Sequence, residues 1–436
     1  MIIENRKQLN SFLQLYNSKD SILIPIQLDD HKHPIDTELS LLYVQLLSGE
    51  EFMLPFNHSE ALNIELPDLN SDTFKYTYDK KKLGHLIELD NIIDVNLLQY
   101  IETNELLNID HIDTEAHHFF NTRFYQRENI NTIIPVLKQL EKCREIAKVL
   151  KVIIKKYNQS VNLSYNNEVL DNLSYIESNG LKTIGKNLHG FISEGKDIVF
   201  SEYNIYTSTG RPSNRFGGIN FAALHKTDGS RKHFISRFEN GVLVEFDYDA
   251  YHLRLIADKI GYKFPEGSVH EYMAKFYGCD YNESKKRSFK YLYGHIPIEV
   301  VQINPFFSKV HDFIKNLWSE YKSKEFIVSD IYNRRIYKKN LSDMNANKLF
   351  NYTIQLMETE NNMKVLSKLI PEIKDDRSKL ILYSYDSFLL DFNMEDSLTY
   401  LSKVKKILEQ NDKFPVKVSW GLNYHKMKDI TEKFVD

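Results

Sequence analysis

Two carboxylates stand out for the company they keep. Asp247 ends GVLVEFDYDA, a β-branched and apolar run, and Asp386 interrupts LILYSYDSFLLDF, which reads as two strands joined at Tyr385-Asp386-Ser387. A lone carboxylate among apolar residues is costly to bury, so each needs a metal or a basic partner. Magnesium, bound by one or two carboxylates together with substrate phosphates, suits so sparse a ligand set. Two such ions about 3.5–4 Å apart activate an attacking hydroxyl and stabilise a leaving pyrophosphate. The plain alternative is that both aspartates cap turns.

Between them, NESKKRSFKYLYG places Lys285, Phe289 and Tyr293 at i, i+4 and i+8, on one face of a helix that Gly294 and Pro297 would stop. A cation for a triphosphate, an aromatic against sugar and base and a second aromatic near a template make chemical sense in that order. Without such a ligand, the stripe is core with a snorkelling lysine.

The elements that must position these groups have an α+β texture. Beyond about residue 200, strands alternate with helices such as SVHEYMAKFYG and ANKLFNYTIQLMETENNMKVLSKL. Residues 130 to 157 carry a helical pattern in which Leu137, Leu140, Ile146, Leu150 and Ile153 are the expected core. Its other face holds Lys138, Lys142, Arg144, Lys148, Lys151, Lys155 and Lys156, either a solvated face or one that grips phosphates. Nearer the N-terminus, SILIPIQL, LSLLYVQL and EEFMLPF read as strands.

Composition narrows the class. A net charge of -4 excludes a globally basic nucleic-acid binder, so any such contact must use local patches. The two cysteines, Cys143 and Cys279, form no motif and suit a reducing compartment. The first residues lack the apolar core of a signal peptide, and no apolar run approaches the roughly 18 residues that span a membrane. A cytoplasmic protein, in host cytoplasm if viral, is expected.

Taken in order, these segments resemble the motifs of family A (DNA polymerase I-type) DNA polymerases. Asp247, Tyr248, Leu253 and Arg254 match the first palm motif, and Lys285, Phe289, Tyr293 and Gly294 match the fingers-helix motif. Asp386 matches the last palm motif. Thr209, Gly210, Arg211 and Ser213 resemble a Thr-Gly-Arg-x-Ser segment, and His270 resembles the His that opens the first fingers helix. Asn351 and Gln355 reproduce an Asn-x-x-x-Gln pair, and Gly421, Asn423 and Tyr424 a Gly-x-Asn-Trp near the C-terminus.

The resemblance, over residues 128 to 436, implies a right-hand polymerase. The thumb would span about 128–200, the palm about 201–260 and 340–436, and the fingers about 261–340, all within a polymerase module of 126–436. It implies catalysis by Asp247, Asp386 and Lys285, metal binding by the two aspartates, and nucleotide binding by Lys285, Phe289, Tyr293, His252, His270 and Arg231. DNA contacts would come from Arg211, Asn351, Gln355, Arg254, Lys148 and Lys151. The implied reaction is DNA-templated addition of deoxynucleotides to a primer end with two Mg²⁺ ions, or Mn²⁺ in their place. Primer–template DNA and deoxynucleoside triphosphates are the expected partners, with room for a replisome or processivity partner and no membrane. The texture suits a phage-like, compact genome.

Three positions depart from the family. Tyr281 stands where an Arg is usual, which leaves Lys286 or Arg287 to meet triphosphate charge. Tyr385 and Ser387 flank Asp386 in place of His and Glu, and Asp-Ser also occurs in single-subunit RNA polymerases. His252 replaces the Glu that excludes ribonucleotides. An RNA polymerase-like enzyme and a noncatalytic primer–template binding subunit therefore remain as alternatives.

Residues 1–125 are similar to the small α/β 3′–5′ exonuclease domain of the same family, in degenerate form. Pro25-Ile26-Gln27 stand where Asp-x-Glu is needed, and Asp79 alone cannot hold two metals. Asp29, Asp30, His31 and His33 read as a solvated loop. A structural remnant without proofreading is expected.

Overall fold

SILIPIQ is apolar on both sides of its pleat, so it suits a strand covered on both faces. In the computed structural model it is the central strand of a mixed sheet. The structure describes residues 1–28, 33–58, 61–107, 109, 135–157, 163–184, 197–214 and 219–434. They divide into two compact units, Met1–Ser174 and Tyr175–Asp436. Asp29, Asp30 and His31 lie outside the described residues, as do the start of the expected basic helix and two stretches of the expected thumb.

In the first unit, α1 (Arg6–Tyr16) precedes β1 (Ser21–Gln27), β2 (Leu39–Leu46), β3 (Glu51–Pro55) and β4 (Lys75–Thr77). Then come α2 (Lys80–Leu86), β5 (Ile92–Asp94), α3 (Val95–Thr103) and α4 (Val136–Tyr157). The sheet order is β3-β2-β1-β4-β5, antiparallel on the β2–β3 side and parallel on the other. Pro25 is tolerated because β4 pairs β1 only at Ser21 and Ile22, leaving the proline beyond the doubly paired stretch.

Alternation along β1 sends Ile22, Ile24 and Ile26 to one face, where α4 packs with Leu140, Cys143, Ile146, Ala147 and Leu150. Leu23 faces the opposite side with Phe12 and Tyr16 of α1. Each such apolar side chain contributes about 1.5–3 kcal/mol when fully buried. The helix registers differently from expectation: Leu137 is 64% exposed, while Val136, Leu140, Cys143 and Ala147 form the buried seam. Because α4 supplies one face of this core, the compact division falls after Ser174, whereas the sequence suggests one after residue 125.

Helix α5 (Leu163–Asn179) carries the chain into the second unit. There β6 (Gly241–Tyr248) is central, flanked by β7 (Lys379–Ser384), β8 (Ser387–Asn393), β9 (Val416–Gly421) and β10 (Lys428–Asp429). The order is β7-β8-β6-β9-β10, antiparallel throughout. The helices are α6 (Tyr251–Lys259), α7 (Val269–Tyr277), α8 (Tyr281–Tyr293), α9 (Ile298–Ile303), α10 (Pro305–Ser323), α11 (Ala346–Ile373) and α12 (Leu398–Glu409). Ser268, Asp280, Asn304 and Asn345 start α7, α8, α10 and α11 by accepting free N-terminal amides. Leu253, Met273, Leu292, Phe306, Phe350 and Ile354 join five of these helices in one apolar core. The α+β class expected from sequence is the class observed.

Candidate active site

Strand periodicity puts Glu245 and Asp247 on the same face of β6. Asp247 lies opposite Ser387 of β8 and Lys417 of β9. The β7–β8 hairpin therefore delivers Asp386, one residue before Ser387, beside Asp247. This turn is strained: Tyr385 has φ 58°, a left-handed conformation that bulky residues avoid. Three contacts hold it there. Asn362 Nδ2 donates to the Tyr385 carbonyl (2.6 Å), Tyr248 N donates to the Asp386 carbonyl (3.0 Å), and the Arg211 guanidinium lies 3.6 Å above the Tyr385 ring.

The pair is electrostatically uncomfortable. Burial, then the neighbouring charges of Asp247 and Glu358, push Asp386 up to about 6, although the residue is exposed at the surface of the cavity. Burial also raises Asp247, against the opposing pull of Lys226. Two carboxyls that disfavour each other's ionisation mark a place for added positive charge. Some is present already: Lys226 Nζ lies 3.2 Å from Glu245 and 3.4 Å from Asp247. Oxygen donors from two aspartates, open to a cavity, fit a hard divalent cation.

That cavity, about 320 Å³, is lined by both aspartates and by the helix stripe Lys285, Phe289 and Tyr293. Phe289 and Tyr293 lie ring over ring at 5.9 Å with a 2° tilt, as i, i+4 spacing allows. Gly294 ends the helix where a Cβ would come within 2.7 Å of the Lys290 carbonyl. His270 closes another wall, its ring 5.8 Å from that of Phe289. Burial pushes His270 down to about 4, so the ring is neutral near pH 7, and its Nδ1 is buried without a hydrogen-bond partner. His252 also lines the cavity. Its Nδ1 meets the Tyr293 hydroxyl, and its Nε2 lies 3.1 Å from Glu358.

The other expected contacts are divided between the cavity and its surroundings. Arg231 is buried against Glu245 (3.7 Å) with its guanidinium over Tyr424 (4.3 Å), and is not a cavity wall. Arg254 is spent within the protein, donating to the Asp249 and Gly267 carbonyls and lying 3.5 Å from the Asp249 carboxylate. Asn351 donates to the Tyr293 carbonyl (3.0 Å), and Gln355 accepts from Thr209 (3.2 Å). Arg211 lines the cavity while pairing with Glu358. Lys148 and Lys151 are on α4, in the first unit. Of the two cations suggested to offset Tyr281, Arg287 is engaged by Glu283 (2.8 Å) and Lys286 is no cavity residue. Lys417 lines the cavity instead, 2.7 Å from Asp249.

No family model and no curated protein matches this sequence. Solved structures do. The POL domain of Pol1 from M. smegmatis, in complex with DNA primer-template and dNTP, superposes with a TM-score of 0.70. The match covers 98% of this chain and 99% of that one, at 14% identity. The fold is that of a polymerase domain.

Lys226, Glu245, Glu358 and Lys417 also stand at or beside this cavity, and none belongs to a motif in the sequence. Glu245 was readable, since it alternates with Asp247 on one strand face. Glu358 follows Asn351 and Gln355 at i+7 and i+3, so it shares their helix face. Lys417 emerges only from cross-strand register, and Lys226 from a loop that no periodicity describes.

Proposed function

We propose that this chain is a DNA-templated DNA polymerase of the family A type, adding deoxynucleotides to a primer 3′ end. The carrying observation is the meeting of Asp247 and Asp386 in a cavity that the Lys285–Phe289–Tyr293 stripe also lines. Asp247 and Asp386 would hold divalent metal, Mg²⁺ or Mn²⁺. When bound, it lowers the pKa of the primer hydroxyl and neutralises the leaving pyrophosphate. Lys285 and neutral His270 offer donors to the triphosphate, with Lys417 nearby, and Phe289 offers a face to sugar and base. Arg211, Asn351 and Gln355 would face the nascent duplex, although Asn351 and Gln355 hold protein partners here. Arg231 and Arg254 act at one remove, shaping the walls.

In this reading the thumb, palm and fingers fall at about 128–200, 201–260 with 340–436, and 261–340. Residues 1–125 are an exonuclease-like remnant. The strands expected from that likeness are present as β1, β2 and β3. Asp79 accepts from the Lys82 amide as the cap of α2, and Asp94 from the Leu97 amide as the cap of α3. Carboxylates used as helix caps explain their presence without metal, and no proofreading is proposed. The protein would work in cytoplasm, as part of a phage-like replication apparatus. Among the described residues, no helix is long and apolar enough to cross a membrane.

Magnesium-dependent extension of a primed DNA template, with deoxy- and ribonucleotides in separate reactions, tests this. Asp247→Ala and Asp386→Ala should each abolish extension and leave primer–template binding largely intact, because lysine and arginine contacts supply most of that affinity. Near-normal extension by either variant would remove the site assignment. Preference for ribonucleotides would favour an RNA polymerase, a reading that Asp386-Ser387 supports. Binding without extension would favour a noncatalytic subunit.

A further inference from the structure

We propose that Lys226 is a built-in competitor of the divalent cation. Anchored by Glu245, its ammonium holds the Asp247 carboxylate and must swing away before that carboxylate ligates metal. This inference rests on the metal-site part of the reading above.

Glu245 supplies the anchor. It alternates with Asp247 along β6, and both line the same cavity. Only 6% of Glu245 is exposed, and both of its oxygens are engaged. Its Oε1 accepts from the Tyr424 hydroxyl (3.0 Å) and lies 3.7 Å from Arg231 Nη1, while its Oε2 accepts from Lys226 Nζ (3.2 Å). A buried carboxylate held by Tyr424 and Arg231 keeps its head in place, and so fixes where the ammonium rests. From there the same Nζ reaches Asp247 Oδ2 at 3.4 Å.

The loop that brings Lys226 to this point is tied at its base. Lys226 follows the 3₁₀ turn Phe221–Ala223. Arg231 Nε donates to the Leu224 carbonyl (2.9 Å), and Ser230 Oγ donates to the His225 carbonyl (3.2 Å). One buried arginine thus holds the loop and approaches Glu245 as well. Beyond that base the lysine has freedom, since its side chain is 56% exposed on a flexible four-carbon stem.

An exposed pair of this kind adds little to folding stability. Its effect falls on whatever else needs the carboxylate. A Mg²⁺–oxygen contact of about 2.0–2.1 Å would bring two cations to one carboxylate, where they repel and compete for the same lone pairs. Lysine pairing and metal binding at Asp247 are therefore coupled, each weakening the other by the same factor. A metal ion that arrives with a triphosphate has the advantage, because the phosphates give the displaced ammonium a new partner.

Two measurements on the full chain test this, neither of which reads activity. The first is Mn²⁺ titration followed by the electron paramagnetic resonance of the free ion. Lys226→Ala should bind Mn²⁺ about two- to fivefold more tightly than wild type, the scale of an exposed ion pair. Lys226→Arg, which keeps the charge, should stay close to wild type. So should Lys232→Ala, which removes the same charge close by from a residue that does not line the cavity. The second is acetylation of wild-type lysines read by mass spectrometry. The rate at Lys226, relative to Lys232, should rise when Mg²⁺ saturates the protein, and Asp247→Ala should lose that rise.

Mn²⁺ affinity in Lys226→Ala equal to or weaker than wild type overturns the inference. So does equal tightening in Lys226→Arg or Lys232→Ala, or acetylation of Lys226 that ignores Mg²⁺. Mn²⁺ binding that Asp247→Ala leaves intact sinks the metal-site assignment and this inference with it. Asp247-dependent binding that Lys226→Ala leaves unmoved sinks this inference alone.

Discussion

At Tyr385 a bulky side chain occupies the left-handed conformation that a tight hairpin ordinarily gives to glycine. Such a residue costs about 1–3 kcal/mol and persists only where its surroundings over-determine it. Here the surroundings are Asn362, Tyr248 and the guanidinium of Arg211. Tyr385→Gly sets two opposed effects of similar size against each other, relief of strain and loss of a cation–π contact of about 0.5–2 kcal/mol. The melting temperature should therefore move little while primer extension falls at least tenfold, since the turn that presents Asp386 loosens. Thermal melts and extension rates on the same preparation check this. A large drop in melting temperature would mean that the ring matters for folding rather than for placing Asp386. Gly210 makes the converse case. Its φ is +70°, and an added Cβ would stand 2.5 Å from the buried Arg334 guanidinium. Gly210→Ala should lose about 1–3 kcal/mol in a denaturant titration.

Among the elements, helix caps carry a readable pH signature. Asp94 caps α3 and also accepts from the Lys80 amide, fully buried. Burial, and then Asp79, push it up to about 7. Its folded-state pKa thus exceeds the ordinary carboxylate value, so the folded protein binds this proton more tightly than the unfolded chain does. The stabilisation is fully present below about pH 4 and is lost as pH rises through about 7. Asp94→Asn should flatten the stability profile across that window, as denaturant midpoints at several pH values would show. An unchanged slope would mean that Asp94 is already ionised at low pH.

Helix spacing put Lys285, Phe289 and Tyr293 on one face, and strand endings located Asp247 and Asp386. Both depend on local periodicity, which the chain carries openly. The partners of Arg231 were not legible, because a linear motif does not say where a long side chain turns, and here it turns to Glu245 and Tyr424. Leu137 misled because the helix seam begins one residue earlier, at Val136. Glu358 and Lys417 matter through partners far away in sequence, and no window of residues contains that information.

For the molecule as a whole, a net charge of -4 leaves the proposed nucleic-acid affinity to local patches. Helix α4 offers one, since its apolar seam faces the sheet and leaves lysines such as Lys138, Lys148 and Lys155 exposed. Lys148→Glu/Lys151→Glu should weaken primer–template binding for every sequence alike and reduce the salt dependence by about one unit of slope per lysine removed. Fluorescence anisotropy at several salt concentrations measures both quantities. A slope equal to wild type would show that α4 faces only water.

Helix α11 sets a fixed length. Its Asn351 holds the carbonyl of Tyr293 at the end of α8, and its Asn362 holds the carbonyl of Tyr385 in the turn that carries Asp386. The two asparagines are eleven positions apart on the helix, about 16 Å at 1.5 Å per residue, and each residue also contributes about 100° of rotation. One inserted or deleted residue between them would miss both distance and direction, however conservative its chemistry. Descendants of this gene should therefore vary at the outward-facing letters of this stretch and hardly at all in its length, so that insertions and deletions collect in the loops on either side.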